Sequence, residues 1–158
     1  MKEAKDYSEK NFSTKIKLEK YLRGYFSKIN IEQILNTDKI LIDVRTFEEF
    51  EKGFIPSALN FPIFDNLERS EIGLIFKNLG QKLAISKGLE FFEPKLKSFL
   101  FSISKLSSKE LVVYCSRGGM RSEAVTRLLK ERGFLVSQLE GGYKAYRNYV
   151  LKELQKKV

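Results

Sequence analysis

Short apolar runs, separated by longer stretches with helical spacing, dominate the chain from residue 29 onward. Three of these runs are rich in β-branched residues or leucine and are typical of buried parallel strands. They lie at residues 40–44, 111–114 and 134–139. Strands that alternate with helices predict an α/β fold with a central parallel β-sheet, helices on both faces, and ligands at the carboxyl ends of the strands.

Apolar positions three or four residues apart predict the helices between those strands. We expect them at residues 31–35, from Thr46 as N-cap to about Gly53, in two segments between 65 and 106, at 122–132, and from 143 to about 156. Pro94 should lie near the start of the second central segment, which Leu89, Phe92, Leu96 and Phe99 mark. Residues 55–62 should be extended, because prolines restrict the backbone there.

The first 28 residues are polar and basic, with scattered apolar positions. We expect residues 1–28 to form a basic N-terminal arm with a short helix, and residues 29–158 to form one domain. A chain of 158 residues can bury one full core but is too short for two ordinary domains.

Composition narrows the class of protein. Hydrophobic residues make up 42% of the chain and charged residues 31%, as in ordinary globular proteins, and no apolar run is long enough to span a bilayer. The first residues lack the apolar core of a signal peptide, so we expect a cytoplasmic protein that has no contact with membranes. The net charge of +9 is compatible with RNA binding but is not evidence for it.

The chain has one cysteine and no histidine. An internal disulfide and a resolving cysteine are therefore excluded, and anything that Cys115 acquires must pass to another molecule. A thiolate or imidazole metal site cannot be assembled either, so we predict no metal and no cofactor bound by this chain.

Cys115 follows a predicted strand and begins a loop that leads to a helix starting near Ser122. Gly118 and Gly119 are expected to adopt positive φ and to turn backbone N–H groups inward, while the helix N-terminus and two arginines add positive charge. Such surroundings favour a thiolate and attract an oxyanion, so Cys115 is the predicted catalytic nucleophile, able to attack sulfur, selenium or phosphorus. The predicted anion-binding loop consists of Ser116, Arg117, Gly118, Gly119, Met120, Arg121 and Ser122.

Within this loop Arg121 is expected to be the main anion ligand and Arg117 a lesser one. An inert core cysteine is the alternative for Cys115, but glycines and arginines are unusual neighbours for one. Asp43 and Arg45 lie at the end of another strand. We expect them to support the site by fixing neighbouring loops through hydrogen bonds.

Several blocks resemble a known family. Leu41-Ile42-Asp43-Val44-Arg45, Gly53-Phe54-Ile55-Pro56-Ser57-Ala58 and the cysteine loop resemble the rhodanese-like sulfurtransferase domain over roughly residues 29–150. Three further blocks, at 64–73, 114–122 and 141–147, are similar to the rhodanese half of the tRNA 2-selenouridine synthase family. The resemblance implies a rhodanese-like fold with Cys115 as the carrier.

In that family the cysteine is needed to replace the sulfur of wobble 2-thiouridine with selenium from selenophosphate, through an S-geranyl intermediate. The resemblance therefore implies a perselenide on Cys115, selenophosphate as selenium donor, and tRNA as a partner. The family's second half is a P-loop domain, and its glycine-rich Lys-Ser/Thr signature is missing from this chain. We therefore expect a split enzyme whose P-loop half is a separate protein, with tRNA bound through the complex. Ser116 also departs from the family, which commonly has tryptophan there.

Loop length is compatible with more than one reaction. Five residues separate Cys115 from Arg121, whereas many rhodanese loops have four, so the pocket should suit a phosphate-sized group. Cys115 would then attack selenium while Arg121 and the loop amides hold the departing phosphate. The same spacing is typical of cysteine-dependent phosphatases, although Tyr114 stands where those enzymes often have histidine and no general acid is evident. The sequence is also compatible with a generic persulfide sulfurtransferase and with a non-catalytic docking module.

Overall fold

The computed structural model describes residues 27–106 and 109–158. Nearly all of the predicted basic arm, with its short helix, lies outside the described residues. The chain divides into two compact units, which are described separately. We call residues 27–62 and 109–158 the sheet unit, and residues 63–106 the helical unit.

The sheet unit contains a parallel sheet in the order β1-β5-β4-β2-β3. Its strands are β1 (Lys28–Ile29), β2 (Ile40–Asp43), β3 (Leu59–Asn60), β4 (Leu111–Tyr114) and β5 (Val136–Leu139). The predicted α/β fold with a central parallel sheet is confirmed. The two outermost strands were not predicted, because two residues are too few to show a period. They form where Lys28–Ile29 pairs with β5 and Leu59–Asn60 pairs with β2.

Seven α-helices lie in the described residues. They are α1 (Ile31–Ile34), α2 (Phe47–Glu51), α3 (Asn66–Leu79), α4 (Gln81–Phe92), α5 (Leu96–Ser104), α6 (Met120–Glu131) and α7 (Gly142–Lys156). Helix α6 begins two residues earlier than predicted, and Gly119 is its N-cap. Helix α2 begins after Thr46 and ends before Gly53, as predicted. None of the helices in the described part of the chain is both long and apolar enough to cross a membrane.

Helices cover both faces of the sheet unit. On one face, side chains of α1, α2 and α7 pack against a core that includes Leu41, Val112 and Leu139. Successive side chains of a strand point to opposite faces, so Gln138 lies on the other face, where its side chain reaches the start of α6. Val125 and Leu129 of α6 are buried, in agreement with the predicted inward face of that helix.

The helical unit consists of α3, α4 and α5. Gly80, with φ +94°, separates the first two helices. A 3-10 turn at Glu93–Lys95 separates α4 from α5. The prediction of a single helix through Leu89 and Phe99 was therefore wrong, because the chain changes to a 3-10 turn at Pro94, which has no backbone N–H to continue an α-helix.

Candidate active site

Cys115 follows β4 directly, so its position is set by the carboxyl end of a central strand. Its side chain is 3% exposed, and Sγ lies 3.1 Å from the Oγ of Ser122 in α6. Gln138 Nε2 donates to the same Oγ at 2.8 Å, which leaves the Ser122 hydroxyl proton for one of two acceptors, Cys115 Sγ or the Gly119 carbonyl oxygen 3.3 Å away. A thiolate can only accept a hydrogen bond, so Ser122 is placed to donate one to it.

Backbone hydrogen bonds orient the predicted loop. The carbonyls of Cys115 and Ser116 accept from the N–H groups of Tyr143 and Lys144, each at 2.9 Å. On the other side, Gln138 Nε2 lies 3.2 Å from the carbonyl of Gly118 and 3.3 Å from that of Gly119. In a trans peptide the C=O and the following N–H point in opposite directions. The N–H groups that follow these four carbonyls therefore point away from α7 and from Gln138.

Glycines allow the loop to lie against the start of α7. Gly118 has φ +69°, and a Cβ there would lie 2.8 Å from the backbone nitrogen of Gly141. Gly142 has φ +57°, and a Cβ there would lie 2.3 Å from the carbonyl oxygen of Cys115. Gly119 has φ −88°, so the expectation of positive φ at both loop glycines holds only for Gly118.

Arg121 lies within a cluster with Glu49 and Ser116. Its Nη1 donates to Glu49 Oε2 at 2.7 Å and its Nη2 to Oε1 at 3.1 Å. Nη2 also donates to Ser116 Oγ at 3.0 Å, and that hydroxyl donates to Glu49 Oε1 at 3.0 Å. The predicted main anion ligand is thus paired with a carboxylate of α2, and its anion-binding role stays a prediction.

The pKa of Glu49 reflects this pairing. Burial raises the pKa, but hydrogen bonds and charge from Arg121 outweigh burial, with smaller contributions from Thr46 and Ser116. The result is a pKa lowered from 4.5 to about 2. A carboxyl group with a lowered folded-state pKa stabilises the fold above its unfolded pKa and loses that contribution as pH falls through the folded value. Glu49 therefore loses its stabilising contribution as the pH falls from 4.5 to about 2.

We expect Glu49→Gln to destabilise the protein at pH 7 by about 1–2 kcal/mol, and the deficit to shrink as pH falls through that range. The shift corresponds to about 3 kcal/mol, which solvent screening of a side chain that is 30% exposed reduces. Urea unfolding at pH 7 and at pH 3 measures the difference. Glu51→Gln removes an exposed carboxylate from the same helix and is the charge-matched control. A Glu49→Gln deficit that does not change with pH would contradict the assigned cause.

Asp43 and Arg45 form a buried ion pair next to Tyr143, whose backbone N–H donates to the Cys115 carbonyl. The Arg45 guanidinium donates to both carboxylate oxygens of Asp43, at 2.7–3.1 Å, and to the carbonyl of Gly53 at 2.7 Å. Its Cζ also lies 4.3 Å from the centre of the Tyr143 ring. Burial lowers the pKa of Arg45, but the hydrogen bond and charge of Asp43 more than offset this and raise it overall. The pair joins the end of β2 to the residue that holds the Cys115 carbonyl.

The other predicted residues have different surroundings. Arg117 is exposed, and Met120 is half-buried at the start of α6. The hydroxyl of Tyr114 accepts from the backbone N–H of Ile55 at 3.2 Å, and burial, together with the charge of Asp43, raises its pKa well above the ordinary value. Tyr114 therefore stays a neutral phenol at neutral pH. In the described ranges, 27–106 and 109–158, no group of three or more acidic or cysteine side chains is placed to hold a metal ion.

The roles of Glu49 and Gln138 were not predicted from the sequence. Thr46 and Glu49 have the spacing of a capping box, and each side chain does bind the other's backbone N–H, but this spacing gives no indication of Arg121. Gln138 offered a clearer signal, because a polar side chain within an apolar strand needs buried hydrogen-bond partners.

Comparisons with known proteins agree with this geometry. The rhodanese-like domain family matches residues 30–149. The chain is 35% identical over 134 residues to a tRNA 2-selenouridine synthase from Shewanella woodyi, covering 82% of this chain and 36% of that protein. It is 38% identical over 118 residues to a tRNA 2-selenouridine synthase from Bdellovibrio bacteriovorus, covering 73% of this chain and 31% of that protein. The chain thus spans about a third of the length of the curated relatives it matches.

A solved structure gives a fuller match. It is the crystal structure of the N-terminal domain of a Clostridium difficile 630 protein named for ATP/GTP binding. The identity is 47% and the TM-score 0.76, over 79% of this chain and 99% of that one. Fold, family match and relatives agree with the resemblance in the sequence, and the chain belongs to the rhodanese-like domain family.

Proposed function

We propose that this chain is the selenium-transferring component of a split tRNA 2-selenouridine synthase. The observation that carries the proposal is the placement of Cys115, whose sulfur lies at the end of a central strand with the Ser122 hydroxyl 3.1 Å away. Relatives named tRNA 2-selenouridine synthase narrow the chemistry to sulfur or selenium transfer in tRNA modification.

Loading of Cys115 begins with sulfur. The Cys115 thiolate attacks the outer sulfur of a persulfide donor, a bond forms between Sγ and that sulfur, and the donor's S–S bond breaks. The electron pair leaves with the donor thiolate, so the exchange needs no oxidant. The Ser122 hydroxyl donates a hydrogen bond to the thiolate and keeps its proton, and the loop amides are proposed to stabilise the charge that moves outward during the attack.

The electron count decides how selenophosphate can supply selenium. Its selenium is already at the oxidation level of selenide, so direct formation of a perselenide with loss of phosphate would need a two-electron oxidant. Hydrolysis of the Se–P bond needs none and gives phosphate and hydrogen selenide. Hydrogen selenide then attacks Sγ of the Cys115 persulfide, and hydrosulfide leaves with the electron pair. We therefore propose selenophosphate as the selenium source upstream of Cys115, and a persulfide as the form of Cys115 that accepts selenium.

Delivery of selenium to tRNA also balances in bonds and electrons without an oxidant. The terminal selenium attacks C2 of the S-geranylated wobble 2-thiouridine, and geranyl thiolate leaves with the electron pair. A second thiol then attacks Sγ, which forms a disulfide with Cys115 and leaves selenium on C2. This chain has one cysteine, so the second thiol comes from another molecule.

The partners are also part of the proposal. The match covers about a third of the curated relatives, and we propose that a P-loop protein supplies the part of the synthase that lies outside the match. That protein would carry prenylation and most tRNA binding, and the complex would work in the cytoplasm.

Nucleoside analysis tests the proposal. We expect tRNA from a strain that lacks this gene to lose 2-selenouridine and to retain 2-thiouridine, as measured by mass spectrometry of digested tRNA. Complementation with the wild-type gene should restore 2-selenouridine. Unchanged 2-selenouridine in the deletion strain would reject the proposal, and loss of both nucleosides would move the role of the protein to an earlier sulfur-transfer step.

A further inference from the structure

The Glu49–Arg121 pair uses most of the hydrogen-bonding capacity of Arg121. A guanidinium has five N–H donors. Nη1 donates once to Glu49, and Nη2 donates both to Glu49 and to Ser116, so three of the five donors are engaged within the protein. The Arg121 side chain is 13% exposed, which limits solvent screening of the pair. An oxyanion that enters the loop therefore meets a paired arginine at this position.

We propose that Glu49 sets the anion selectivity of the loop by competing internally with oxyanions for Arg121. Carboxylates and phosphate-like groups both bind parallel N–H donors of a guanidinium, and Glu49 occupies the Nη1–Nη2 edge of Arg121, so a phosphate that uses this edge must displace it. Arg121 then acts as the main anion ligand only when Glu49 has been displaced.

This competition has a consequence for the reaction. The inference rests on the proposed function, in which phosphate is a by-product and the reacting species at Sγ are persulfide, selenide and perselenide. None of these needs a bidentate arginine. A loop that binds phosphate weakly stays open to them, and it does not act on phosphate esters although its cysteine–arginine spacing matches that of phosphatases.

The competition can be measured without any selenium donor. Inorganic phosphate is titrated into the wild-type protein, Glu49→Gln, Arg121→Gln and the double variant, with the backbone amide resonances of the loop followed by NMR. We expect Glu49→Gln to bind phosphate at least about 10-fold more tightly, because the released guanidinium regains a charge-assisted pair. Arg121→Gln should stay within about 2-fold of wild type, and the double variant should bind like Arg121→Gln.

Two features of the design isolate the contact. Glutamine at position 49 still suits a capping box, so α2 keeps its N-terminal hydrogen bond with Thr46. Glu51→Gln makes the same change in net charge on the same helix and should keep wild-type affinity. An equal gain in Glu51→Gln would assign the effect to overall charge and overturn the proposal.

Two other results would also overturn it: an unchanged affinity in Glu49→Gln, or a gain that persists in the double variant. Arg121→Gln gives a separate test that needs no change at Glu49. An arginine already available to anions would lose at least about 10-fold in phosphate affinity on its removal. Failure of the nucleoside experiment would leave these affinities untouched, so the two proposals can fail independently.

Discussion

We expect Cys115→Ala to abolish sulfur loading and 2-selenouridine formation while the fold is retained. Sulfur loading, selenide exchange and release by the second thiol each form a bond to Sγ, so no other side chain of this chain can take over these steps. We expect the rate of transfer from a persulfide donor to fall by at least about 10⁴-fold. The side chain is small and buried, so its truncation should cost only about 1 kcal/mol of stability.

Intact-protein mass spectrometry after incubation with a persulfide donor gives a direct readout. The wild-type protein should gain the mass of one sulfur atom, and Cys115→Ala should gain none. Cys115→Ser is the matched control, because it keeps the shape of the side chain and its polar contact with Ser122 but cannot form a persulfide. Sulfur loading or restored 2-selenouridine in either variant would reject Cys115 as the carrier.

Gly142→Ala is expected to be the most damaging single methyl group added to the sheet unit. Its Cβ would lie 2.3 Å from the carbonyl oxygen of Cys115 and 2.8 Å from the backbone nitrogen of Gly118, and both are main-chain atoms with little freedom to move. The positive φ adds about 1–2 kcal/mol for any residue with a Cβ. With the overpacking, the total should be about 3 kcal/mol or more.

Thermal unfolding measures this loss, with Gly133→Ala as the matched control. Gly133 also has a positive φ, of +85°, but a Cβ there would meet no atom within 4 Å. We expect a drop in Tm of about 10 °C for Gly142→Ala and of about 3 °C for Gly133→Ala. Equal shifts would mean that backbone conformation, and not the contact with the cysteine loop, requires glycine at position 142.

The central strands and the position of Cys115 were predictable because the information is local. Leu111–Tyr114 is a continuous apolar run, and a cysteine, glycines and arginines follow it within a few residues. The 3-10 turn around Pro94 was not predicted, since a proline is compatible with both a helix start and a 3-10 turn.

The arrangement around Arg121 was not predictable. Its partner Glu49 is 72 residues away, and the sequence explains that glutamate fully as part of the capping box of α2. The role of Gly142 was not predictable either. A glycine pair in a sequence indicates a turn, whereas the close approach of Gly142 to the Cys115 carbonyl depends on the fold. Local spacing identified the nucleophile, and tertiary contacts determine the charge and rigidity of its surroundings.

Because Cys115 is buried, the unloaded protein and the loaded protein present different reactive atoms to a partner. Sγ belongs to a side chain that is only 3% exposed, so a folded RNA has little access to the bare thiol. A sulfur bonded to Sγ has its centre about 2 Å from Sγ, and a selenium slightly farther still. Under the proposed function this added atom is the one that a tRNA partner has to reach, and it is present only after the protein has been charged.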